Sequence, residues 1–355
     1  MGNTSIVSNQ NTKRIIYFDL LKVIATFAVI VIHCSVSKLD IWTPDESRWQ
    51  ICLFFDCISR WSVPVFVMIS GALFLKGEHS IGKILKKNIF RIITAFVFWS
   101  TLYGIYKFTI NKFTLKPTIA TIITGHYHLW FMFMIAGLYL SVPLLKKITE
   151  SKKLTVFFLI LSLIFSFIIP MVKDFFEWLG GEYANIIDTV INNTNFNITV
   201  GYTGYFVLGF FLSECDLSPK TRKIIYVFGG FGFILTFVFS SVFSCITGSL
   251  VEMFFENFSV FILLESICVF TLFKYNKFDL SEKKEKVALS LSKYSFGVYL
   301  VHPMIIETLR DVFGFDINSF NIAFSLPLLF VITSIVSFVI SAILNHIPVL
   351  KKYIV

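Results

Sequence analysis

The stretch Tyr17–Ser37, YFDLLKVIATFAVIVIHCSVS, decides the fold. It is apolar over a length that matches the roughly 30 Å hydrocarbon core of a bilayer. It nevertheless carries three ionisable side chains, Asp19, Lys22 and His33. An α-helix rises about 1.5 Å and turns about 100° per residue, so Lys22 and His33 fall on nearly one face, roughly 16 Å apart along the axis. Charged and titratable groups are costly in hydrocarbon. That face must therefore look into a protein interior or a wet cavity, and such a face is a functional-site hypothesis by default.

The rest of the chain repeats the apolar signature. Its 355 residues are 56% hydrophobic and 17% aromatic with only 15% charged, and the mean hydropathy is +0.78. These values place it in the membrane class. Apolar runs separated by polar breaks predict spans at 16–36, 50–75, 89–109, 127–145, 154–172, 198–214, 223–246, 254–273, 293–309 and 321–345. The expectation is an all-α polytopic membrane protein of about ten transmembrane helices with both termini cytoplasmic. It forms one domain over residues 1–355, of which 1–13 are a polar cytoplasmic tail. The first span has no cleavage pattern after it and reads as a signal anchor. With the N-terminus inside, the cytoplasmic segments hold 22 of the 31 basic residues, the asymmetry that the positive-inside rule requires. The net charge of +9 thus reflects topology, with the lipid bilayer as partner and no nucleic acid. The six cysteines lack metal-ligand spacing and read as small buried hydrophobes.

Further polar residues punctuate the spans. Asp56 and Arg60 are four apart and can pair on one helical face; Arg60 is deep enough to share a cavity with His33. Ser62-Val63-Pro64 through Ser70-Gly71 combines a helix-disturbing proline with residues that allow close helix approach. His126-Tyr127-His128-Leu129-Trp130-Phe131 opens the fourth span with interfacial aromatics. Its two histidines, at i and i+2, do not share a helical face, which argues against a metal pair. The ninth span carries Ser292-Lys293-Tyr294-Ser295-Phe296-Gly297-Val298-Tyr299-Leu300-Val301-His302-Pro303, and Glu265 is a carboxyl midway along the eighth.

An imidazole near the outer surface suits proton removal from a hydroxyl, which makes His33 a candidate general base. Lys22 and the basic segment Lys83–Arg91 at the inner end would attract phosphates. A phosphate-bearing donor inside and a hydroxyl acceptor outside fit this arrangement. So does a transporter or exporter of a polysaccharide, lipid or small solute, because an ionisable path across a bilayer also serves proton coupling.

Four segments resemble the integral-membrane acyltransferase-3 family, and within it the stand-alone bacterial O-acetyltransferases of the enterobacterial-common-antigen and intercellular-adhesin type. They are Asp19-Leu20-Leu21-Lys22 with His33, Arg60 with Ser62-Val63-Pro64 through Ser70-Gly71, His128-Leu129-Trp130-Phe131, and Ser295 through Pro303. The resemblance implies a multi-pass protein of the bacterial plasma membrane. It would move an acyl group, usually acetyl, from cytoplasmic acetyl-CoA or another acyl-CoA to a hydroxyl of a cell-surface glycan or lipid-linked sugar, without a metal. It also implies a catalytic set of His33, Lys22, Arg60 and Asp19. The donor would be held by Lys86, Lys87 and Arg91, the acceptor by His128, Trp130, Tyr299 and His302. The usual pattern has an arginine eleven residues before the histidine; Lys22 stands there in this chain and keeps the charge without the planar two-pronged donor.

Overall fold

The computed structural model describes residues 15–77, 80–181, 186, 187, 189 and 201–355. Helices joined by turns and irregular loops make up the structure, with no strand among the described residues. Among the described residues, seven helical stretches are long and apolar enough to cross a membrane: Ile16–Lys38, Ser47–Lys76, Ile81–Thr109, Leu115–Thr149, Lys152–Trp178, Pro219–Thr247 and Ile322–His346. The other three expected spans are helical as well, but each lacks something. Thr203–Glu214 has 12 residues and Val260–Tyr275 has 16, both short of the roughly 20 that a crossing needs. Glu282–Asp311 has 30 residues, and its first turns are too rich in Glu and Lys. The expected tail 1–13 and the start of the span 198–214 lie outside the described residues.

Chain order gives α1 (Ile16–Ser35), α2 (Ser47–Cys57) and α3 (Ser62–Lys76). A wide π-type turn, Ile84–Ile89, leads into α4 (Phe90–Thr109), followed by α5 (Leu115–Thr124) and α6 (Trp130–Thr149). Then come α7 (Lys152–Ser162), α8 (Ile169–Trp178), α9 (Thr203–Glu214), α10 (Pro219–Thr247), α11 (Val260–Tyr275), α12 (Glu282–Asp311), α13 (Ile322–His346) and α14 (Pro348–Tyr353). Several boundaries follow from local chemistry. Ser218 caps α10 by accepting from the Thr221 amide at 3.1 Å, and Pro219 fills the first position, where a missing N–H costs nothing. Gly248, at φ +70°, ends that helix in the left-handed conformation that glycine tolerates. Asn321 caps α13 through the Ala323 amide at 3.0 Å.

Two departures from the sequence expectation shape the site. The second span is not continuous: residues 58–61 form turns, and Pro64 stands in the first turn of α3, where it breaks no hydrogen bond. Arg60 is carried in that break. The segment between α4 and α6, expected as an outer loop, folds into α5, which packs along α4 and presents the exposed apolar side chains Leu115, Ile119 and Ile123. At Gly125, φ +83° turns the chain sharply, and His126 to Leu129 enter the bundle as a tight 3-10 turn.

Packing is closest where α3 crosses α9. A Cβ added to Gly71 would stand 1.8 Å from the Phe206 carbonyl oxygen, and one added to Gly209 would stand 2.0 Å from that of Met68. The glycines let two backbones touch, the role that small residues play between membrane helices. Leu21, Val65, Met68, Tyr205, Phe206 and Phe270 fill the core around this crossing. A second core joins α1, α2, α12 and α13 and includes Cys34, Cys52 and Cys57; all six cysteines are free thiols. Glu265 is fully buried and accepts from the Thr236 hydroxyl at 2.6 Å, a polar tie between α11 and α10.

Candidate active site

One cavity of ≈ 380 Å³ runs between α1, α3, α6 and α12. Lys22, Thr26, Val29, Ile30 and His33 supply its α1 wall. These are the positions that a 3.6-residue period puts on one face. Lys22 and His33, two of the three ionisable groups of the opening stretch, thus face the same space. The other walls are largely aromatic: Phe66 and Phe74 from α3, Phe131 and Tyr139 from α6, Phe296 and Tyr299 from α12. Phe74 and Tyr139 stack at 4.1 Å, and Phe131 lies 5.6 Å from Tyr299.

At the Lys22 end the cavity also meets Asn88, Arg91 and Ser292. The Arg91 guanidinium donates to the Val355 carbonyl oxygen and lies over the Phe296 ring at 5.4 Å. Asp19, one turn before Lys22, does not line the cavity. It is buried and accepts from the Ser292 hydroxyl at 2.5 Å, which ties α1 to α12. Lys86 and Lys87 are exposed on the π-type turn and lie outside the lining. The extra residue of that wide turn shifts the phase of the helix, and Asn88 and Arg91 face inward instead.

At the other end, four imidazoles gather from three parts of the chain. His33 lies 5.1 Å, centroid to centroid, from His302 and 5.3 Å from Tyr127. His302 is 5.8 Å from His128. The Nδ1 atoms of His128 and His126 are 3.1 Å apart. On a helix this i, i+2 pair would not share a face; in the 3-10 turn after Gly125 the two rings meet. His126 Nε2 then stands 3.0 Å from Glu307 Oε1, which also pairs with Lys107 at 3.0 Å. His33, His128, Trp130, Tyr299 and His302 all line the cavity. Trp130 stays partly exposed, with Tyr202 5.6 Å away, and the Tyr299 hydroxyl donates to the His128 carbonyl at 2.7 Å.

Proline chemistry positions His302. Pro303 has no N–H for the carbonyl of Tyr299, and the Val298 and Tyr299 carbonyls both stand beside the His302 ring. Its Nδ1 is 3.1 Å from the Val298 oxygen. One residue on, the helix ladder is opened by a side chain: the Tyr103 hydroxyl donates to the Leu300 carbonyl at 2.9 Å and accepts from the Met304 amide at 3.1 Å.

Arg60 is near but not on the cavity wall, a correction to the expected shared cavity. Its Nε and Nη2 reach Asp56 Oδ2 at 2.9 and 2.6 Å, and its guanidinium covers the Phe255 ring at 4.6 Å. The carboxylate four residues earlier holds it back, although its charge still reaches His33. Sequence reasoning missed Asn88 and Glu307. Among the described residues, no group of three or more His, Cys, Asp or Glu side chains is arranged to hold a metal ion.

One family, described as an acyltransferase domain (acyltransferase-3), matches residues 15–346. No curated protein and no solved structure matches the chain.

Proposed function

The chain belongs to the acyltransferase-3 family, and from that premise we propose that it moves an acyl group, acetyl in the simplest case, from cytoplasmic acyl-CoA to a hydroxyl of a cell-surface or lipid-linked glycan. The observation that carries the proposal is the cavity, in which Lys22 and His33 occupy opposite ends of one continuous wall. An activated thioester entering at the Lys22 end can there meet an alcohol at the His33 end.

In this reaction the basic residues of the Lys22 end, Arg91 on the wall with Lys86 and Lys87 on the adjoining surface, attract the phosphates of the donor. The pantetheine arm lies along the aromatic walls. His33 in its neutral form takes the hydroxyl proton as the acceptor oxygen attacks the thioester carbon. The C–S bond breaks, and the proton passes to the departing CoA sulfur. Lys22 and, from behind the wall, the Arg60 charge stabilise the negative charge that develops on the acyl oxygen. Asp19 is a positioning residue for α1 rather than a group in contact with the donor. The Lys22 end faces the cytoplasm in this reading, as the basic-residue asymmetry requires. The organism's surface glycans, compared by mass spectrometry with and without the gene, are expected to differ by one acyl group per modified sugar. Identical glycan masses would refute the assignment.

A further inference from the structure

The imidazoles at the His33 end are not equivalent, because their hydrogen-bond partners dictate where each carries its hydrogen. Glu307 Oε1 already accepts from the Lys107 ammonium and, as a carboxylate, can only accept. His126 Nε2, 3.0 Å away, must therefore carry the hydrogen. With its one ring hydrogen on Nε2, His126 offers Nδ1 as a lone pair, and the one hydrogen that fits between the two Nδ1 atoms at 3.1 Å belongs to His128. His128 is left with a bare Nε2. That atom is buried and meets no hydrogen-bond donor among the described residues. The Leu300 carbonyl is near this ring but makes no hydrogen bond to its Nε2. His302 reaches the same condition by another route: its Nδ1 faces the Val298 carbonyl, which can only accept, so its Nε2 is also a lone pair, buried and likewise unpartnered. Both rings line the cavity and are at most 3% exposed.

Two buried acceptors side by side call for a ligand that donates twice. An ammonium group would do so, but the nearby carboxylates Glu307 and Asp56 are already paired with Lys107 and Arg60, so a further positive charge would be buried without a counter-charge. Neutral O–H groups satisfy both requirements. We propose that Glu307, acting through His126, fixes His128 as a hydrogen-bond acceptor, and that His128 and His302 together clamp two hydroxyls of a neutral polyol, a vicinal diol of a sugar, beside His33. Glu307 and His126 are positioning residues that never touch the ligand. The clamp deepens the acyltransferase reading and rests on it for the identity of the acceptor, since it selects oxygen over nitrogen as the atom acylated.

The test reads the imidazoles directly. The full-length protein, labelled with [15N]histidine and held in detergent micelles, is expected to show His128 and His302 with hydrogen on Nδ1. Adding the methyl glycosides of glucose, galactose, mannose and N-acetylglucosamine in turn should shift both Nε2 signals for at least one sugar. Its fully O-methylated counterpart should leave them unmoved. In His126→Phe, which keeps a ring against Tyr103 but removes the acceptor, His128 should become a mixture of tautomers and bind the same glycoside roughly tenfold more weakly, the worth of about one hydrogen bond. Glu307→Gln, which keeps an acceptor oxygen but loses the charge, should lie between the two. A hydrogen on His128 Nε2 in the unmodified protein, or no response to any of the four glycosides, overturns the clamp. CoA release from acetyl-CoA with the organism's own glycans is scored in parallel. Its absence in the unmodified protein removes the acyltransferase reading, and the tautomers and diol binding are still decided by the spectra.

Discussion

At the scale of single residues, the proposed chemistry separates groups that act on the substrate from groups that hold them. His33→Ala removes the proposed base from a half-buried position in a helix that loses no hydrogen bond by the change. Acyl transfer should fall by at least 10²-fold, the usual span of general-base catalysis, while size-exclusion profile and thermal midpoint stay near those of the unmodified protein. Retained turnover would remove His33 from the mechanism. Lys22 acts through charge, so Lys22→Arg should keep most of the activity and Lys22→Met should lower kcat about tenfold to a hundredfold, measured as CoA released per enzyme. Equal kcat in both variants would deny the cation a part in the transition state. These residues were legible in the sequence because an ionisable group inside an apolar run is anomalous. Glu307 was not, although it too is buried in an apolar stretch. Its partner His126 lies 181 positions away, and no local period connects them.

At the scale of elements, the α3–α9 crossing fixes the wall that carries Phe66, Ser70 and Phe74. Gly209→Ala would push a methyl group into the Met68 backbone, and backbone cannot rotate away as a side chain can. A destabilisation of about 1–3 kcal/mol is expected, read as a lowered thermal midpoint in detergent. Gly230→Ala on α10 meets nothing within 4 Å and should leave the midpoint unchanged. The Ser70-Gly71 pair was readable as a close-approach signal, but the partner helix was not, since a glycine announces contact and not its object. Apolar run length found α1, α4, α10 and α13 to within a few residues. It failed for the break at residues 58–61, where Ser59 and Arg60 interrupt the apolar run too briefly to mark a helix end, and for α5, whose ten residues are too few to stand out from a loop.

Across the whole molecule, the seven long apolar helices make a multi-pass membrane protein of the acyltransferase-3 family. The three shorter or more charged helices pack among them, and one of these, α12, carries Ser292, Ser295, Tyr299, His302 and Glu307. The helix least suited to lipid is thus the one richest in site residues, because polar side chains that face a cavity lower the hydropathy by which a span is recognised. This is why the ninth expected span could be seen as unusual in sequence yet not delimited: its first turns read as a charged loop, and in the structure they are helix.

The size of the cavity has a consequence for which part of the donor the protein handles. A space of ≈ 380 Å³ is at the small end of what encloses a drug-sized molecule. Under the proposed reaction it admits a short acyl group and its thiol-bearing tether, and leaves the adenine nucleotide head outside at the water boundary. That head then serves as a handle for capture, remote from the bonds that change. Acetyl-pantetheine, which lacks it, should therefore be turned over at a similar kcat with a KM raised by an order of magnitude or more, whereas donors with long fatty chains should fail through sheer bulk.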